Sequence, residues 1–376
     1  MKNVIIGAGV FGMATAIELI QEGNDVLVID SNKENIASKN ALGRLDPVFK
    51  GSGSSINTEN NSIKRPESQR ILALKSFNLH KKYFDKYYKE TSFEYEFKNI
   101  PTLQILNDDD LKDLKNNEEE IASYGFKLEI LNSNEEIVYY QPGISKEINM
   151  AALIYGTMFI EASNFLDSLK KRFKSLGGKF INGEVESIDE KNWCALSSDG
   201  LEVNYDNLIV CAGPWTNKLF KNLNFETEIF PAKGEIIKVK TEGVKLNFHV
   251  HGSCSIVEKS DGLTWVAATH EENVFNSNKT KEAEKELIHK ASEIIPDFAE
   301  YKILDHSACV RPSTKDGMPI LREAINGANI FIASGGGGWG IMQCFYVGKK
   351  MKEIIYGKWF KKLIWPISRV AYGDTF

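Results

Sequence analysis

The period of the apolar positions changes twice within the first thirty residues. A short run (NVII, 3–6) predicts a strand, and apolar residues at helical spacing over 13–21 predict a helix that stops at Gly23. The run DVLVID (25–30) predicts a second strand, closed by Asp30. Further along, Ile71, Leu72, Leu74, Phe77 and Tyr83 share one face of a helix expected over 67–89, and residues 93–105 alternate as a strand does. The acidic run 108–123 reads as one exposed helix. Residues 165–176 are amphipathic, end at two glycines and lead into the strand KFING; strands are also expected over 185–188 and within 206–213. From residue 230 the pattern turns to strands (EIIKVK, SCSIVE, LTWVAATH), with a polar helix over 279–294. The run NIFIAS, a glycine-rich turn (335–340) and a last helix follow.

Strand–turn–helix units thus fall at the start, middle and end, with strand-rich segments between them and no internal repeat. The interleaving predicts an α/β fold. A Rossmann-type domain is assembled from three segments (1–88, 151–225 and 305–376), and an inserted α+β domain (89–150 and 226–304) is built on an antiparallel sheet.

The chemistry of the first unit is specific. In Gly7-Ala8-Gly9-Val10-Phe11-Gly12, Gly7 permits the turn, Gly9 lets backbone approach a pyrophosphate, and Gly12 packs helix on strand. The N–H groups at the helix start then face the phosphates, and Asp30 is placed to accept ribose hydroxyls. A bound dinucleotide is the expectation.

Composition adds mainly exclusions. A net charge of −5 gives no general attraction to nucleic acid. Five scattered cysteines (194, 211, 254, 309, 344) without a CxxC pair suggest neither a disulfide framework nor a zinc site, so a reducing cytoplasm is expected. No apolar run is long enough to span a bilayer, and Glu18 interrupts the stretch after Lys2 that superficially resembles a secretory signal. The stretch 359–365 is expected to pack its aromatics on the fold with lysines outward. Residues 51–66 are a loop by composition.

Taken in order, GAGVFG with Asp30, ASKNALGR, GGKFINGEVESI, LIVCAGPW, PAKGEIIKV, CVRPSTKDGMPIL and ASGGGGWGIMQC resemble the D-amino-acid oxidase superfamily of FAD-dependent oxidoreductases over nearly the whole chain. Glycine oxidases, sarcosine oxidases and D-amino-acid dehydrogenases look most similar. Asp30 departs from the more common glutamate, which shortens the carboxylate's reach.

The resemblance implies FAD as cofactor. Ser38, Asn40, Ala41, Leu42 and Gly43 would border its pyrophosphate and flavin, Val185 would meet the adenine, and Ala212, Gly213 and Trp215 would line the cleft, with Ser31 beside Asp30. Gly337, Gly338, Trp339, Gly340 and Ile341 would set a helix N-terminus beside the flavin, where oriented N–H groups favour the reduced form's charge. Arg311, between Val310 and Pro312, would grip a substrate anion bidentately. His270, Ser255, His251 and Trp339 are the further candidates near the substrate, and His249 would edge the same pocket.

Two readings of Cys309 stay open, a buried thiol or a covalent link to the flavin. The implied reaction is oxidation of the C–N bond of a small amino acid or N-methyl amino acid, by hydride transfer to flavin N5 and hydrolysis of the imine. O2 or another electron acceptor would complete it. A hydroxy-acid oxidoreductase and a flavin-binding subunit that needs a partner chain remain as alternatives. An NAD-dependent dehydrogenase is disfavoured by the second glycine turn and the ASKNALGR loop.

Overall fold

The computed structural model describes residues 1–49, 66–91, 96–325 and 327–360. The loop 51–66 and the stretch 359–365 lie outside the described residues, apart from Pro66 and the helical backbone of 359 and 360.

Six strands make the first sheet, in the order Ile320–Ile325, Ile330–Ser334, Asn207–Val210, Lys2–Ile6, Asp25–Asp30 and Lys179–Asn182. All neighbours are parallel except the first pair. The central strands Ile330–Ser334, Asn207–Val210 and Lys2–Ile6 are buried almost throughout and read as near-continuous apolar runs, whereas the edge strand Lys179–Asn182 is partly exposed. Helix Val10–Ile20 begins three residues earlier than its apolar spacing indicates, because the glycine turn itself opens it. It packs with helices Ala162–Ser175 and Gly340–Phe360 in one core.

The second sheet holds nine strands, drawn from 102–155, 230–272 and Ile303–Ser313. It is antiparallel except where His249–His251 runs parallel to Thr102–Ile105. Strand Phe230–Val239 pairs along its length with Ile303–Ser313, and Ala151–Tyr155 pairs with both Thr102–Ile105 and Lys127–Leu131. Those strands, assigned by the boundaries at 151 and 305 to the nucleotide-type segments, therefore pair in the second sheet. The apolar pattern of a strand marks its burial but not its sheet.

Two other elements depart from expectation. The acidic run is two helices, Asp108–Asn116 and Glu118–Ser123. Asn107 caps the first in a reciprocal box with Asp110, and Asn117 (φ −123°, ψ 11°) leaves helical geometry between them. The alternating segment 93–105 yields strands Phe97–Asn99 and Thr102–Ile105, separated at Pro101, which has no N–H to donate.

Candidate active site

A cleft runs past the carboxyl ends of the first sheet's strands and is walled on its other side by the second sheet. Counting its solvent-open mouth, its empty space is about 1880 Å³, beyond the roughly 300–1,000 Å³ usual for a drug-sized ligand. Gly7, Gly9, Val10, Phe11, Asp30, Ser31, Ser38, Asn40, Ala41, Leu42 and Gly43 line it. So do Val185, Ala212, Gly213, Trp215, Ser255, Arg311 and all of 337–341. Gly12, His251 and His270 do not.

The first glycine turn is held by its own neighbours. Ala8 N–H donates to Asp30 Oδ2 at 2.7 Å and Asn32 N–H to Oδ1 at 2.8 Å, which fixes the carboxylate while leaving each oxygen a further lone pair. Val10 N–H donates to Ser38 Oγ at 3.2 Å, joining the turn to the 38–43 loop. Gly9, at the start of helix Val10–Ile20, has no side chain to cap it, so beyond the Val10 N–H held by Ser38 the first N–H groups of the helix meet no side-chain acceptor among the described residues. A Cβ on Gly9 would meet nothing nearer than Ser38 Oγ at 3.2 Å, so the space over the turn is open to a phosphate.

The second glycine turn forms a short 3-10 segment, Gly337–Trp339, that leads into helix Gly340–Phe360. Its first turn is pinned by His80, a residue the sequence does not single out. His80 Nε2 donates to Ile341 O at 2.8 Å, and complete burial holds its pKa down to about 4, so the ring is neutral and keeps that proton on the carbonyl. One cleft thus takes in a helix start at a glycine turn, the Asp30 carboxylate and a second helix start 330 residues on, which suits an extended dinucleotide such as FAD.

Arg311 projects from strand Ile303–Ser313, opposite Ala232 on Phe230–Val239. Its guanidinium lies over Gly234, where a Cβ would come within 2.0 Å of Nη2. Nη1 donates to Thr269 O at 3.2 Å and lies 3.5 Å from His270 Nδ1. Among the described residues no carboxylate lies within 4 Å of it, so its charge is left for a ligand.

His270 is displaced from where its strand pattern put it. The strand ends at Ala267, and His270 stands behind Arg311 instead of on the cleft wall. Burial, then the Arg311 charge, hold its pKa below the ordinary imidazole range, and Glu272, 3.6 Å from Nε2, works the other way. A neutral His270 orients the guanidinium.

His251 is buried and not itself on the wall; its Nδ1 lies 2.8 Å from the Oγ of Ser255, which is. His249 is not on the wall; its Nδ1 meets Thr102 Oγ1 at 3.0 Å. Burial is the first cause that keeps it neutral, and the charge of Arg44 adds to it.

Cys309 lines the cleft two residues before Arg311. Burial raises its thiol pKa, against a smaller pull from Arg311.

Buried charges that the sequence concealed support these elements. Lys233 meets Glu235 at 2.8 Å, and Glu235 accepts from Thr280 N–H and Oγ–H at 2.9 and 2.8 Å and lies 2.7 Å from His306 Nε2. The cluster ties together the two strands that carry Gly234 and Arg311. Arg44, also on the cleft wall, pairs with the buried Asp46. Glu235 shares its strand face with Ile237 and Val239, and helix Lys281–Ile294, which packs Leu287 and Ala291 in the same core, docks over that face and buries the charge.

The family described as FAD dependent oxidoreductase matches residues 2–354. Glycine oxidase of Bacillus licheniformis is 26% identical over 226 residues, which span 59% of this chain and 61% of that protein. Glycine oxidase of Bacillus subtilis (strain 168) is 22% identical over 372 residues, 95% of this chain and 93% of that protein. The crystal structure of glycine oxidase from Geobacillus kaustophilus superposes with a TM-score of 0.81 at 21% identity, covering 94% of each chain. With two glycine turns framing one cleft and a match that runs almost end to end, this chain belongs to the family of FAD-dependent oxidoreductases.

Proposed function

We propose that the chain oxidises the C–N bond of a small amino acid or N-methyl amino acid, passing electrons through FAD to O2 or another acceptor. One observation carries the reading: a guanidinium on the cleft wall whose charge meets no carboxylate within 4 Å among the described residues. When bound, FAD accepts the hydrogen and two electrons that leave the substrate carbon.

Everything else is asked of side chains and backbone. Arg311 holds the substrate anion, and Thr269 O and His270 fix the fork's orientation, which makes the substrate carbon's position reproducible. The second-sheet residues on the wall, among them Ile236, Ser255, Ala267 and Arg311, include no carboxylate. No negative charge there stabilises an ammonium, and the Arg311 charge opposes one, so the amine binds neutral with its lone pair available to form the C=N bond. Ser255, backed by His251, offers the amine a hydroxyl, and Trp339 bounds the site at the second glycine turn. The imine product then hydrolyses in water.

The test is anaerobic. Small amines carrying a carboxylate, phosphonate or sulfonate should bleach the flavin, and the same amines without the anion should not. Bleaching by a hydroxy acid alone would overturn the reading.

We also take the FAD to be held without a covalent bond, because burial keeps the Cys309 thiol protonated and a poor nucleophile, with its S–H donating to Asn40 O at 4.0 Å. Acid precipitation should leave the flavin in the supernatant. A yellow pellet that turns colourless in Cys309→Ala would show a thioether instead.

A further inference from the structure

Lys259 is a buried cation that the reaction does not use. It occupies the turn between strands Ser255–Glu258 and Thr264–Ala267, a KSDG sequence whose composition suggests full exposure, yet it is only 8% exposed. Its Nζ donates to Leu42 O at 2.9 Å and to Ile160 O at 3.0 Å. The rings of Phe159 and Trp265 flank it, at 5.7 and 5.6 Å from their centroids. Among the described residues no carboxylate lies within 4 Å. The next residue of the loop docks on the same strand, since Ile160 N–H donates to Gly43 O at 2.9 Å.

Leu42 and Gly43 line the cleft, whereas Ile160 ends strand Met158–Ile160, the middle strand of a three-stranded sheet with Arg44–Leu45 and Phe97–Asn99. Without the ammonium, the carbonyls of Leu42 and Ile160 would face one cation-sized space with no donor between them. Burying a lysine without a carboxylate is costly, and a methionine would fill the same volume more cheaply. The charge is retained where it holds a cleft-lining carbonyl in place.

We propose that Lys259 is the positioning residue of the flavin loop: by clamping Leu42 to Ile160 it sets the loop's seat against FAD, and FAD affinity depends on its charge. This rests on the reading that the 38–43 loop borders the flavin. Other charges near the ammonium act unequally. Burial dominates and brings its pKa down to about 8; Glu161 and Asp261 favour the charged form, and Lys98 opposes it. Lys238, also over the Trp265 ring, is paired with Asp305 at 2.9 Å, and Arg44, directly after the loop, is paired with Asp46.

The sign follows. Below about pH 8 the charged amine makes two charge-assisted bonds; above it the neutral amine donates more weakly and the loop loosens. FAD binding to apoprotein, followed by tryptophan fluorescence between pH 7 and 9, reads this directly.

Lys259→Met should raise the FAD Kd at pH 7 by about ten- to hundred-fold and abolish the wild type's weakening between pH 7 and 9. Lys259→Arg, which keeps a cation able to bridge two carbonyls, should restore most of the affinity and show no such weakening. If the methionine variant does not fold, the wild-type profile and the arginine variant still decide. A wild-type Kd that is flat over this range, or a folded Lys259→Met that binds FAD like the wild type, overturns the clamp while leaving the FAD site standing. Wild-type apoprotein that takes up no FAD overturns the reading of the cleft, and the clamp with it.

Discussion

Arg311→Leu should raise the substrate KM by about thirty- to several-thousand-fold while the visible spectrum of the bound flavin stays nearly unchanged. The range is that of truncating a buried, hydrogen-bonded charge opposite an anion, roughly 2–5 kcal/mol. Loss of the guanidinium leaves the substrate's charge facing Ile236, Ala267 and the aliphatic replacement, with no second cation among the second-sheet residues of that wall to compensate. The strand itself should hold, because the backbone pairing of Arg311 with Ala232 and the Glu235 cluster behind it do not involve the side chain. Arg311→Lys should recover only part of the loss, since one ammonium cannot reproduce two parallel N–H bonds. A KM within a few-fold of wild type would remove Arg311 from the substrate site.

Gly12→Ala should give a protein that retains no FAD and melts several degrees lower. Its Cβ would stand 1.9 Å from Gly7 O and 3.3 Å from Cys211 Cβ. Backbone meets backbone there, so the helix must lift off the strand, at a cost of about 3 kcal/mol or more. The contrast is Gly9→Ala, whose Cβ meets only Ser38 Oγ, at 3.2 Å. The apoprotein should melt normally with alanine at position 9, yet bind FAD far more weakly, because the new methyl group occupies the approach to the phosphates. Melting of both apoproteins, set beside FAD titrations, checks the pair. Equal FAD affinity in Gly9→Ala and wild type would place the pyrophosphate elsewhere.

What was legible in the sequence is what is local. The strand, glycine turn, helix and Asp30 lie within thirty residues, and the turn's spacing dictates its own geometry, so Gly7, Gly9 and Asp30 could be placed on the cleft before any fold was known. The second glycine turn was readable for the same reason. Arg311 stood out because a charge inside an apolar strand needs a partner.

What escaped depends on contacts between distant segments. Lys259 meets a carbonyl 217 positions away, and nothing in a KSDG turn signals burial. His80 pins a helix 261 residues further on. His270 was placed by extending a strand that ends three residues earlier, which turns a wall residue into one behind Arg311. Sheet membership of Ala151–Tyr155 and Ile303–Ser313 was equally invisible, since pairing partners are chosen by register and not by the apolar pattern of either strand alone.

The most direct test of the central claim is to collect what forms when an anionic amine bleaches the flavin once, without oxygen. Oxidation at the C–N bond predicts one oxo acid or aldehyde and one ammonia or amine per flavin reduced, with substrate carrying deuterium on the oxidised carbon bleaching more slowly. Bleaching that releases no ammonia or amine, or no bleaching by any anionic amine in a protein replete with FAD, would contradict it.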